Sequence, residues 1–174
     1  MKQLIDINVL VDVLIRLQLT RLPHVEKILD LGSCDCTLMS TYPYLDTHIT
    51  FTDLKDSDGN IFQKTREQNK HNDRFSFIET SCDDLSMFEE NSFDMVTFSN
   101  VIEHLTTEQI DKTMIAIKRV LKPNGLLVAI TPNKVGRKLL GKYLMHPGHI
   151  EEFTAEEMLS FMYKYKFKIG RAHV

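Results

Sequence analysis

Five short runs of apolar and β-branched residues recur along this 174-residue chain, and the stretches between them are long enough for helices. The runs are KILDL (27–31), HITFTD (48–53), RFSFIET (74–80), FDMVTFS (93–99) and GLLVAIT (125–131), with a weaker sixth, KFKIGRAHV (166–174). Helical segments are expected near 36–41, 60–68, 107–121 and 154–165. Strands that alternate with helices make βαβ units, which pair their strands mostly in parallel. A parallel strand is covered on both faces, so it reads as a continuous apolar run, as LLVAI does. KPNG (122–125) predicts a turn between the last crossover helix and the fifth strand.

This pattern predicts an α/β, Rossmann-like, doubly wound and mostly parallel sheet of about six strands flanked by helices. One domain is expected over 1–174, with an N-terminal helical extension (1–24) and an α/β core (25–174). The length suffices for a single full core. The net charge of −3 lacks the basic surplus of a nucleic-acid binder, so no nucleic-acid partner is expected. Three cysteines are too few for a disulfide scaffold, which points to a reducing, cytoplasmic setting. The run LIDINVLVDVLIRLQL carries Asp6, Asp12 and Arg16, charges too costly for a transmembrane segment.

In an open sheet of this kind, ligands sit beyond the carboxyl ends of the strands where the strand order reverses. The first strand runs into DLGSCDC (30–36). A dinucleotide pyrophosphate would want bare glycine amides and no carboxylate there. Asp30 and Asp35 would repel phosphate, whereas they favour a ligand carrying an ammonium and a sulfonium, such as S-adenosylmethionine. Gly32 permits the close approach that a Cβ would block. Asp53 ends the second strand about 20 residues on, where a carboxylate accepts from ribose hydroxyls; a helix cap is its other reading. Asp83, in TSCDDL, is placed to accept from an adenine amino group, or is an ordinary loop acid. Cys34, Cys36 and Cys82 match no common zinc spacing, and no metal is expected.

Methyl transfer from such a cofactor is an in-line displacement, and a base is needed only for a protonated acceptor. His149, in HPGHIEEFT, is the first candidate for base or acceptor-positioning group, and His104, in NVIEHL, the second. His146 follows them. Packing, capping or surface roles are the alternative for each. NKVGRKLLGKYLM (133–145) is a basic amphipathic segment that suits either a lid helix or the cover of an anionic or lipid-like acceptor.

The stretches KILDLGSCDCTL, ITFTDL, SFDMVTFSNVIEHL, IKRVLKPNGLLVAITPN and GHIEEFTAEEML together resemble the class I S-adenosylmethionine-dependent methyltransferases, especially small-molecule members related to quinone and sugar methyltransferases. The resemblance spans roughly Lys27 to Lys168 and implies S-adenosylmethionine as cofactor and a small-molecule acceptor. It implies that Asp30, Gly32 and Ser33 line the methionine end, that Asp53 holds the ribose, that Cys82 and Asp83 face the adenine, and that Asn100 lies near the methyl group. The family usually has glycine where Cys34 and Cys36 stand, and usually adds a final antiparallel strand that is missing here. That gap predicts either a short, poorly ordered C-terminal strand or a homodimer through the sheet edge. The alternative function is a methyltransferase-like binding or partner protein without catalysis. A nicotinamide-dependent oxidoreductase is disfavoured by Asp30 and by the absence of G-x-G-x-x-G.

Overall fold

The computed structural model describes residues 16–55, 60–135 and 148–168. Most of the N-terminal extension, most of the basic segment 133–145, His146 and most of the sixth strand candidate therefore lie outside the described residues. Five parallel strands form one sheet in the order β3-β2-β1-β4-β5. They are β1 (Lys27–Leu31), β2 (His48–Asp53), β3 (Phe75–Glu79), β4 (Phe93–Ser99) and β5 (Leu121–Ile130). The helices are α1 (Leu38–Thr41), α2 (Ile61–Asn69), α3 (Thr107–Val120) and α4 (Ala155–Lys164), with a 3-10 turn at Ile102–His104.

Side-chain alternation along the central strands feeds two cores, one on each sheet face. Leu29, Leu31, Val96 and Phe98 pack with Ile110, Met114, Ile117 and Val120 of α3 and Met162 of α4. Ile28, Ile49, Phe51 and Met95 pack with Leu38, Tyr42 and Phe62. Helices thus cover both faces, as the continuous apolar strands require. Each fully buried side chain of this size contributes roughly 1.5–3 kcal/mol.

Both long C-terminal helices start in the same way. Thr106 accepts from the Gln109 amide at 3.3 Å while the Gln109 side chain accepts from the Thr106 amide at 3.0 Å. Thr154 and Glu157 repeat the arrangement at α4. These reciprocal bonds satisfy amides that have no partner inside the helix.

Strand pairing begins earlier than the sequence predicts at β5. Leu121 already pairs with Phe93, and the register then shifts before Met95 pairs with Leu126. KPNG is therefore an irregularity within the paired strand, with Asn124 in the left-handed region at φ 65°. Proline lacks the N–H that a regular ladder would use, so the chain leaves the ladder there and rejoins it.

Candidate active site

β1 and β4 are neighbours at the centre of the sheet, although β2 and β3 separate them in sequence. This is the point where strand order reverses, the usual place for a ligand in an open α/β sheet. The turn after β1 begins at Gly32, with φ +64°. A Cβ at Gly32 would lie 2.5 Å from Val101 Cγ2, so the loop after β4 closes directly over it. Cys34 (φ 42°) and Cys36 (φ 54°) are also left-handed. A side chain in that region crowds the following carbonyl and costs about 1–2 kcal/mol per residue. Glycine would adopt these angles freely. Cys36 offsets some of the strain by burying its thiol, which is 2% exposed, in the core beside α1.

The turn is fastened to β2. The Ser33 amide donates to the Thr52 carbonyl at 2.9 Å, and its hydroxyl donates to the Asp30 carbonyl at 2.8 Å. Asp53 Oδ2 accepts from the Cys34 amide at 2.6 Å, and Oδ1 from the Leu54 amide at 2.7 Å. Asp53, itself buried, thus fixes the turn's backbone. Beneath the turn, the Asp30 carboxylate accepts from the Thr97 hydroxyl at 2.5 Å. Burial raises the pKa of Asp30 to about 6, against the opposing hydrogen bonds from Thr97 and Ser33. Neighbouring Asp35 and Asp53 add to the rise.

The other residues read from the sequence are arranged around the same end. Asn100 is exposed and left-handed (φ 54°), and its amide donates to the Ile130 carbonyl at 2.8 Å. Asp83 accepts from the Ser81 hydroxyl. Cys82 turns its sulfur into the core, where it accepts from the Thr113 hydroxyl at 3.6 Å. A small-residue turn at the sheet's switch point, flanked by two buried carboxylates, is the sequence-ordered core of this site. A family model described as methyltransferase domain matches residues 29–129, more than half of the chain, and spans all of these elements.

The chain belongs to the methyltransferase domain family. It is 34% identical over 85 residues to a highly reducing polyketide synthase of Pyrenophora dematioidea, a match that covers 48% of this chain and 3% of the synthase. Among solved structures it is similar to a SAM dependent methyltransferase from Archaeoglobus fulgidus, with a TM-score of 0.74 and 17% identity over 91% of this chain and 68% of that one. A 1,6-didemethyltoxoflavin-N1-methyltransferase of Burkholderia thailandensis, solved with bound 1,6-didemethyltoxoflavin and S-adenosylhomocysteine, gives a TM-score of 0.63 and 15% identity over 86% of this chain and 64% of that one. At these identities the solved structures establish the fold.

A second cluster of this methyltransferase domain gathers both histidines read from the sequence. His104 and His149 meet edge to face, with ring centroids 4.8 Å apart. His104 Nδ1 lies 3.0 Å from the Gly148 carbonyl, and His149 Nδ1 lies 2.7 Å from Glu152 Oε1. Glu103 and Glu152, which the sequence reading passed over, are buried beside them. The Thr131 hydroxyl donates to Glu103 Oε2 at 3.0 Å, and burial raises the Glu103 pKa above the ordinary glutamate value. The available signal was local: an acid directly precedes His104 in VIEHL, and another follows His149 by three positions in HIEEF. Among the described residues no helix is long and apolar enough to cross a membrane.

Proposed function

We propose that this domain transfers a methyl group from S-adenosylmethionine to a small-molecule acceptor. The observation that carries the reading is the buried Asp30 carboxylate under a turn whose first residue, Gly32, has no room for a Cβ. Such a floor opposes phosphate and favours a ligand with an ammonium and a sulfonium. The residues fit the cofactor at three points. Gly32 and Ser33 give the methionine end a close backbone approach, Asp53 presents its carboxylate to the ribose hydroxyls, and the turn holding Cys82 and Asp83 lies beyond β3, on the adenine side. Asn100, after β4, stands toward the methyl group.

The cofactor supplies the electrophilic carbon. The protein's part is to align the acceptor, keep water out and hold the acceptor's proton balance. The assignment of His104 and His149 to the acceptor is supported by Val101, which covers Gly32 and leads directly into the turn that carries His104. His149, held through Nδ1 against Glu152, is the first candidate for positioning the acceptor. The basic segment 133–145 supports an anionic or lipid-like acceptor by its composition.

Calorimetric titration with S-adenosylmethionine tests the reading. Saturable binding is expected, and Asp53→Ala should weaken it by about 1–3 kcal/mol, because ribose hydroxyls and the Cys34 amide lose their acceptor. Absence of any binding heat or thermal shift at millimolar cofactor would refute it.

A further inference from the structure

We propose that Glu103, His104 and His149 form a binding site for one divalent transition-metal ion, with Glu152 and the Gly148 carbonyl holding the two imidazoles from behind. One ligand atom from each of the three residues lies within 4.8 Å of the other two. The donors come from two chain segments that are fastened together, since the Glu103 carbonyl accepts from the Ile150 amide at 2.7 Å and the Glu151 amide at 3.2 Å. The His149 loop is thereby docked on the 3-10 turn by bonds among described residues.

The second observation concerns Glu103 itself. It is 1% exposed, and while Oε2 takes the Thr131 hydroxyl, Oε1 has no hydrogen-bond partner among the described residues. A buried carboxylate oxygen left without a partner needs a proton or a cation beside it. The surroundings favour a cation. Each ring has an oxygen behind its Nδ1, the Gly148 carbonyl for His104 and the Glu152 carboxylate for His149, and such backing by a carboxylate or a carbonyl is the usual support of a metal-ligating histidine. The rings cross at 81° with centroids 4.8 Å apart, so both imidazoles border the same small volume as Glu103. Bonds of about 2.0–2.1 Å place ligand atoms about 3.3 Å apart in a tetrahedron, so the trio contracts by about 1.5 Å around the ion, within reach of side-chain rotation. Two imidazoles and one carboxylate suit zinc, cobalt, iron or manganese better than calcium or magnesium.

With three ligands from the described residues, a tetrahedral ion takes a fourth ligand from elsewhere. Beside the turn that covers Gly32, that fourth position faces the acceptor, so an acceptor with a hydroxyl or carbonyl oxygen would bind there. This last step rests on the proposed methyl transfer; the metal site does not.

The test uses the full chain, stripped with a chelator and dialysed against Co²⁺ in the absence of cofactor. One ion per chain is expected, with visible d–d bands and no thiolate-to-metal charge transfer. Glu103→Gln and His149→Ala should each lower affinity more than tenfold, and Glu152→Gln by roughly 10–100-fold. His104→Ala, at a half-exposed position, repeats the test should a buried variant lose its native circular dichroism. Absence of bound ion at micromolar Co²⁺, or affinity unchanged in these variants, would overturn the proposal and leave a proton on Glu103. A charge-transfer band would overturn it too, by moving the ion to the cysteines. Cofactor titration of the same samples separates failure of the metal site from failure of the methyl-transfer reading.

Discussion

Replacing Asp30 by asparagine should stabilise the domain at neutral pH and do so less in acid. Burial lifts this carboxyl from 3.8 to about 6. The folded state therefore holds the proton more tightly than the unfolded chain does. Its contribution to stability is fully present below about pH 4 and is lost as pH rises to about 6. At 1.36 kcal/mol per pKa unit, keeping Asp30 ionised at pH 7 costs the fold about 3 kcal/mol. Asparagine removes the charge and still offers an oxygen to the Thr97 hydroxyl. Urea unfolding of both proteins, from pH 4 to pH 7.5, measures the difference directly. The advantage of Asp30→Asn should grow by about 2–3 kcal/mol across that range. An advantage that stays constant within 0.5 kcal/mol would show that Asp30 is not held in the dry setting described above, and the reasoning would fail.

A cationic cofactor over the same carboxylate should reverse the effect, so S-adenosylmethionine binding near pH 6 should release a fraction of a proton, read as different calorimetric heats in buffers of different ionisation enthalpy; equal heats would place Asp30 outside the ligand's field. Cys34→Gly should raise stability by about 1 kcal/mol through relief of its left-handed φ, seen as a shift in the denaturant midpoint. Cys36→Gly should gain less, or lose, because its side chain fills core space beside α1. Gly32→Ala should cost more than 2 kcal/mol, and pairing it with Val101→Ala should recover the steric part alone. Thr106→Ala should cost about 1 kcal/mol by removing the cap of α3.

The strands were the most legible part of this chain. β1, β2 and β4 fall on the residues that the apolar runs mark, because each strand carries buried apolar or β-branched side chains through most of its length. β5 was read four residues short, since a proline and a glycine signal a turn whether or not the flanking residues stay paired. Asp30, Gly32 and Asp53 were legible as residues gathered at the carboxyl ends of β1 and β2, because each occupies or follows a strand end. The strain at Cys34 and Cys36 was visible as missing glycines, but which cysteine is buried was not. The metal expectation weighed only cysteines, whose spacing is local. Glu103 and His149 are far apart in sequence, and tertiary bonds bring them together, among them the Ile150 and Glu151 amides donating to the Glu103 carbonyl and the His104 ring beside the Gly148 carbonyl. Nothing in a single sequence registers such a contact.

The bridge between Asn133 and Phe153 closes the base of the excursion that leaves the sheet after β5, and the Lys134 amide reinforces it by donating to the Phe153 carbonyl at 3.0 Å. A connection pinned at its neck decouples its own length from everything below it. Doubling such a connection costs only about 0.6 kcal/mol of closure entropy, while the neck keeps His149 and Glu152 in register with Glu103. A longer segment grafted between Val135 and Gly148 is therefore expected to leave the sheet and the Glu103–His149 cluster intact.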